Sequence, residues 1–332
     1  MNKPLAIQAY ESLTDKQRKD LSALKTIHGA NLDKIIKSGT ENPDSEIGCY
    51  AADADSYTKF AKIFDYVIQH YHKLDNHVKQ KNDFNVDDLP EFLPSVRKKI
   101  KSVRIRVARC LDKFPFTSQM SKADRLNVEK EVLIAAENVF KDDEFKGKYF
   151  AISSIKDEIY NELLEKHLIF KKGDKYLQSA GILYYWPSGR GSYISNDEKF
   201  SLWINEEDHM RITYLQKSAD IHKVSSKLFE AIKLLEKNLK FARNVKYGFL
   251  NSCPTNIGTG MRASIHIHLP EISYDCLKDI CKQNGLSLRG TYGEHTQIQN
   301  STYDISFKKR LGMSEREIIQ TFVQKVNSVL SA

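Results

Sequence analysis

The hydrophobic rhythm of this 332-residue chain changes once, across KNDFNVDDLPEFLPSV at residues 81–96, and that change limits the fold more than any other feature. Before it, apolar residues recur three and four apart, as in LSALKTI, LDKIIKSG and SYTKFAKIFDYVIQHYHKL, the spacing that gives a helix one apolar face. The stretch TENPDSEIGCYAADAD interrupts these helices with Pro43, Gly48 and several cap-forming acids, so it reads as a loop. Beyond the change, VRIRV, SLWIN, ASIHIHL and YDISF alternate or run apolar as strands do. Helical stretches such as NVEKEVLIAAENVF and VSSKLFEAIKLLEKNLKF separate them. The expected fold class is α+β: a small all-helical N-terminal domain (1–82), a linker (83–97) and a larger domain (98–332). That larger domain carries a mainly antiparallel β-sheet flanked by helices, and no strand is expected before residue 98.

Composition narrows the class of protein. Hydrophobic content of 41% and charged content of 28% describe an ordinary globular chain. No apolar run approaches the roughly 20 residues of a membrane span. The opening MNKPLAIQAYESL has no apolar h-region, so export is not expected and a cytoplasmic location is. The five cysteines (Cys49, Cys110, Cys253, Cys276, Cys281) are odd in number and scattered, which favours free thiols over a disulfide framework. None stands in the paired spacing a zinc site needs. A net charge of +8 invites a nucleic-acid reading, but most lysines are interleaved with acids, as in KLLEKNLKFARNVK. Neither nucleic acid nor a membrane is expected as a partner.

Four constellations carry chemistry. In SVRIRVARC (102–110), alternation puts Val103, Ile105 and Val107 on one strand face and Arg104 and Arg106 on the other. Two forked guanidiniums on one face suit a phosphate, or equally a set of structural salt bridges. In FSLWINEEDHMRI (200–212), a strand ends at Ile204 and Glu206, Glu207, Asp208, His209 and Arg211 crowd the turn after it. Adjacent acids are costly unless a cation shares the load, although a plain polar turn is the bland alternative. In NSCPTNIGTGMRASIHIHL (251–269), Arg262, Ser264, His266 and His268 share one face, opposite Ile265, Ile267 and Leu269. HIH imitates a metal pair, yet no third ligand is spaced nearby, and the glycine turn lacks the lysine and hydroxyl of a Walker loop. The fourth, LRGTYGEHTQIQNSTYDISFKKRLG (288–312), sets Arg289, Glu294 and His295 among glycines in what reads as a loop able to close over a substrate. Together, arginines for phosphate, separated carboxylates for a cation, and one thiol suggest a phosphoryl donor and a basic acceptor in one site.

In family order, SVRIRVARC, YYWPSGRG, WINEEDHMRI, SCPTNIGTGMRASIHIHLP and RGTYGEHT with YDISFKKRLG resemble the phosphagen (guanidino) kinases, most closely the arginine-specific branch. ENPDSEIGCYAADADSYTKFAKIFDYVIQHYH resembles the family's small domain, so the likeness spans nearly the whole chain. The resemblance implies reversible transfer of the ATP γ-phosphoryl group to the guanidino group of L-arginine, with taurocyamine, lombricine or a similar guanidine as the alternative acceptor. It implies that Arg104, Arg106, Arg211, Arg262 and Arg289 bind the phosphates of ATP or ADP, with His266 against the adenine. Glu207 and Glu294 would hold the substrate guanidinium, with Cys253, expected as a thiolate among arginines, at its non-reacting nitrogen. Glu206 would lie in the water shell of a Mg2+ carried by the nucleotide. The loop 42–50 would close on the acceptor's amino-acid end, with Ser45, Ile47 and Gly48 offering backbone groups and Tyr50 its phenol. The sequence departs from the family where Glu46 replaces a usual glycine and Tyr292 a frequent arginine. Where the family has a histidine near the base, GRGSYISND offers Ile194 or Ser195. A monomer or homodimer is expected.

Overall fold

The computed structural model describes residues 3–74, 79–141, 144–290 and 301–331. Its first part is helical: α1 (Leu5–Glu11), α2 (Asp15–Ser22), α3 (Leu32–Glu41), α4 (Ser56–Lys59) and α5 (Ala61–His72). Local chemistry starts these helices. Thr14 and Gln17 form a reciprocal capping box at α2, and the Asn31 side chain accepts the Lys34 N–H at α3. Helix α3 buries Leu32, Ile35, Ile36 and Gly39, and α5 buries Ile63, Phe64, Val67 and Ile68, each set on one face. Their shared core also takes in Cys110, Phe116, Tyr247, Leu250 and Ile257 from later in the chain. The helical region is therefore packed into the rest of the protein rather than tethered to it.

The segment 83–97, expected as a linker, holds one short helix, α6 (Pro94–Arg97), and buries Leu89, Phe92 and Val96 in the core of the larger region. Strands then begin, at the place the alternation predicts: β1 (Ile100–Arg109), β2 (Gly147–Ala151), β3 (Gly191–Ser195), β4 (Phe200–Ile204) and β5 (Met210–Gln216). A small hairpin, β6 (Arg243–Asn244) with β7 (Gly248–Phe249), precedes β8 (Met261–His268), β9 (Leu286–Gly290) and β10 (Thr302–Phe307). Eight of these form one sheet in the order β2-β3-β4-β5-β1-β8-β10-β9, antiparallel at every pairing.

Helices between the strands are α7 (Lys122–Val139), α8 (Asp157–Glu165), α9 (Lys175–Ser179), α10 (Ile221–Glu236) and α11 (Tyr274–Gln283), and α12 (Glu315–Leu330) follows the last strand. Helix α10 buries Ile221, Val224, Leu228, Phe229, Ile232 and Leu235, and α12 buries Ile318, Ile319, Phe322, Val323 and Val326. These stripes pack in one core with Val103, Ile105 and Val107 of β1 and Ala263, Ile265 and Ile267 of β8. The helix-covered face of the sheet is thus largely apolar, and alternation sends Arg104 and Arg106 of β1 and Arg262 of β8 to the other face, while Arg109 at the end of β1 is buried against Phe249.

Candidate active site

Register sets the cationic wall. Strand β1 lies between β5 and β8, with Arg106 directly across from Arg262, and Arg104 across from Ser264. Like charges opposite each other weaken a sheet, so this pairing needs a compensating anion. Burial first, then the Arg104, Arg262 and Arg211 charges, lowers the proton affinity of the Arg106 guanidinium, the mark of a cation short of counter-charge. Arg104 is already anchored: its Nη2 donates to Asp304 Oδ2 at 2.5 Å. Arg262 Nη2 donates to Ser306 Oγ at 2.6 Å, and Arg289 lies on β9 across from Asp304. His266 Nδ1 sits 3.1 Å from Ser102 Oγ, and its Nε2 lies 3.4 Å from Asp304 Oδ2. Burial would raise the Asp304 carboxyl, but His266, Arg104 and Arg262 outweigh it and hold Asp304 ionised.

The acidic corner is the turn from β4 to β5. Its first residue, Asn205, adopts φ 56° and donates from Nδ2 to the Arg125 and Gly189 carbonyls at 3.0 and 2.7 Å. Buried Arg190 donates from Nε to the Asn205 carbonyl at 3.0 Å, which fixes the turn from behind. Arg211 Nη2 bridges Glu206 at 2.9 Å and Glu207 at 3.4 Å. Asn256 Nδ2 donates to Glu207 Oε2 at 2.9 Å and to Asp208 Oδ2 at 3.2 Å, while the Ser252 N–H donates to Asp208 Oδ1 at 2.7 Å. Burial, then the neighbouring carboxylate, still pushes both Glu207 and Asp208 up. His209 is structural: Nδ1 accepts the Leu111 N–H and Nε2 donates to the Pro115 carbonyl, both at 2.9 Å.

Cys253 opens the turn Pro254–Asn256 and lies beside Glu207. The sequence suggests a thiolate there; the structure corrects this. Burial first, then the Glu207 charge, pushes the Cys253 thiol well up, and the Thr255 hydroxyl at 3.1 Å from Sγ does not offset them. The charges that act on it are those of Glu207 and Asp208 rather than those of the arginines. Tyr50 is held up by burial, then by Cys253 and Glu207, so it shares this corner. The rest of its loop is tied to the helices: the Gly48 N–H donates to Ser45 Oγ at 3.1 Å. The Glu46, Ile47 and Gly48 carbonyls accept from Leu5, Ala6 and Gly39 at 3.0, 2.9 and 2.9 Å.

One cleft of about 330 Å³ gathers Arg106, Arg211, Arg262 and Arg289 with Glu207, Asn256 and, from the helical region, Glu46 and Tyr71. It also contains Arg310, which sequence reasoning left unmarked inside SFKKRLG; its Nη1 donates to Thr255 O at 2.7 Å and Asn256 Oδ1 at 2.8 Å. A second residue was missed. Neither Ile194 nor Ser195 reaches the cleft: Ile194 packs with Leu163, Leu168 and Ile169, and Ser195 Oγ donates to Asp197 Oδ1 at 2.8 Å. His167 instead stands in the field of the wall. Burial, then Arg104, His266 and Arg106, lowers it to about 4. Glu294, His295 and Tyr292 lie outside the described residues.

A polyarginine wall across from a carboxylate–thiol corner defines a phosphotransferase with a cationic acceptor. The sequence profile of the ATP:guanido phosphotransferase C-terminal catalytic domain matches residues 127–332, and that of the N-terminal domain matches residues 9–69. The chain belongs to this family, the phosphagen kinases, and is a phosphotransferase acting on a guanidino group. It is 38% identical to arginine kinase Oct f 2 of Amphioctopus fangsiao over 96% of this chain and 92% of that one. It is 39% identical to an arginine kinase of Artemia franciscana over 93% and 87%. Among solved structures, a lombricine kinase superposes with a TM-score of 0.91 at 30% identity, over 99% of this chain and 92% of that one. The duplicated taurocyamine kinase of Schistosoma mansoni gives 0.90 at 33%, over 99% of this chain and 46% of that one. Among the described residues, no helix is long and apolar enough to cross a membrane, and all five cysteines are free thiols.

Proposed function

We propose that the chain reversibly transfers the γ-phosphoryl group of MgATP to free L-arginine. The observation that carries this reading is the meeting, in one cleft, of the arginine wall with the Glu207 corner. Arg104, Arg106, Arg211, Arg262 and Arg289 bind the phosphates, with His266 and His167 toward the nucleoside. Phosphoryl transfer depends on alignment and on spread charge compensation, and the wall supplies the second before substrate arrives.

Glu207 fixes the plane of the acceptor guanidinium, and Glu294 is its intended partner. A guanidinium with a pKa above about 12 is a poor nucleophile until a proton leaves it. Glu207, whose proton affinity is raised by burial and Glu206, is the described carboxylate able to take that proton. Cys253 and Tyr50 line the acceptor's edge, and the loop 42–50 with Ser45, Ile47 and Gly48 shuts out water. Among the described residues no three His, Cys, Asp or Glu are grouped to hold a metal. A Mg2+ would therefore arrive on the nucleotide, and Glu206, beside Arg211, would reach it through water. Bound there, Mg2+ neutralises charge on the phosphates.

One observation favours a second reading, another guanidino acceptor: the likeness to lombricine and taurocyamine kinases. A coupled ADP-release assay with arginine, taurocyamine, lombricine, glycocyamine and creatine offered separately tests the proposal. Turnover with arginine at the highest kcat/KM is expected; turnover with another guanidine and none with arginine overturns it.

A further inference from the structure

Of the two acids that line the cleft among the described residues, Glu207 and Glu46, the proposed chemistry leaves Glu46 unused. Its loop backbone is pinned to α1 and α3 through the Glu46, Ile47 and Gly48 carbonyls, so the side chain's place is set by the fold. That place is the wall of the active-site cleft, beside Tyr71 and across from Arg262 and Arg310. The Tyr71 phenol feels Arg310, Cys253, Glu46 and Arg262, after the larger effect of its own burial, so these groups bracket it. Glu46 is exposed, and among the described residues it makes no ion pair and no side-chain hydrogen bond.

The charges of the cleft say what this carboxylate could meet. Arg310 is spent on Thr255 and Asn256, Arg262 on Ser306, and Arg211 on Glu206 and Glu207. A polyphosphate takes up their remaining charge. Glu207, Cys253 and Tyr50 share one corner, the one the proposed function gives to the acceptor's guanidinium. Glu46, four residues before Tyr50 in the same loop, lines the arginine cleft, and neither Tyr50 nor Cys253 is among that lining, which leaves Glu46 for the acceptor's other end. A tail bearing an ammonium group would be repelled by the arginines unless an anion stood beside it. A tail bearing only a carboxylate or sulfonate would be repelled by Glu46.

Resting on the arginine reading, we infer that Glu46 is a specificity-determining residue that binds the α-ammonium group of the acceptor. It selects guanidines with a zwitterionic or cationic tail over those whose tail is solely anionic. A charge-assisted hydrogen bond of this kind corresponds to a preference of about tenfold or more.

The test compares kcat/KM of the wild type, Glu46→Gln and Glu46→Gly for three acceptors. L-arginine carries both tail charges, agmatine only the ammonium, and 5-guanidinopentanoate only the carboxylate. In the wild type, L-arginine should exceed 5-guanidinopentanoate by about tenfold or more, and in both variants that ratio should collapse toward about one. Thermal melting checks that each variant is folded, and Glu46→Gly restores the smallest residue if the amide disturbs the loop. If the ratio does not move, or both acceptors fall together, Glu46 does not read the ammonium and the inference is overturned. If the wild type refuses arginine but accepts taurocyamine, the acceptor reading falls as well; arginine turnover with an unmoved ratio removes the inference alone.

Discussion

Asn256 presents an amide whose oxygen and nitrogen have different work to do, and Arg310 decides which faces where. Because Arg310 Nη1 donates to Oδ1, the Nδ2 end is left to hold Glu207 and Asp208. Replacing Arg310 frees the amide to turn, so that Glu207 and Asp208 lose the donor they share and keep Arg211 and the Ser252 N–H. Arg310→Met should therefore lower kcat by about 10–100-fold, with a smaller change in acceptor KM, measured by initial rates. Nothing in SFKKRLG marks Arg310 apart from Lys308 and Lys309, because all three are simply basic in sequence. The arginines of β1 were legible since alternation alone fixes their face. Cys253 was legible in place but not in charge, because a thiol's proton depends on burial and on Glu207, which no string of letters displays.

At the level of elements, the loop 42–50 and α3 come closer than side chains allow. Gly48 has φ +76°, and a Cβ there would stand 2.6 Å from Pro4 Cβ and 2.9 Å from Gly39 Cα. Gly39 returns the constraint, since its own Cβ would lie 2.7 Å from Gly48 O. Gly48→Ala should cost about 1–3 kcal/mol of stability by urea denaturation and raise the acceptor KM. Unchanged values for both would show that the loop tolerates the displacement. The helices and the loop between them could be read from period and cap residues. The loop's hydrogen bonding could not, since its partners Leu5, Ala6 and Gly39 are set by tertiary packing. The Arg106–Arg262 pairing was hidden for the same reason: register belongs to two strands, and a sequence shows one at a time.

Across the whole molecule, His72 and His209 tie distant segments together as neutral rings. His72 Nε2 donates to the Pro254 carbonyl at 2.9 Å, joining α5 to the Cys253 turn. Burial lowers both histidines to about 4, from an ordinary 6.5. Below pH 6.5 the unfolded chain takes up protons that the fold refuses, so each ring removes stability as pH falls toward 4. Glu207 and Asp208, raised in the fold, act in the opposite sense: they bind protons more tightly folded, and their contribution is lost as pH rises. The clean test is a difference. In His72→Gln, the decline in urea-derived stability on acidification below pH 6.5 should be shallower than in the wild type by about 1.4 kcal/mol per pH unit. Equal slopes would mean that His72 is protonated in the fold. The central position of β1 has a consequence for how the protein is made. Its two neighbours, β5 and β8, are translated long after it, and β8 ends at His268. A growing chain therefore carries Arg104 and Arg106 on a strand that has neither sheet neighbour until β5 (Met210–Gln216) is made, and lacks the second until β8. The Arg106–Arg262 pair, and with it the cationic wall, can assemble only after β8 has left the ribosome, so the wall is a late product of synthesis.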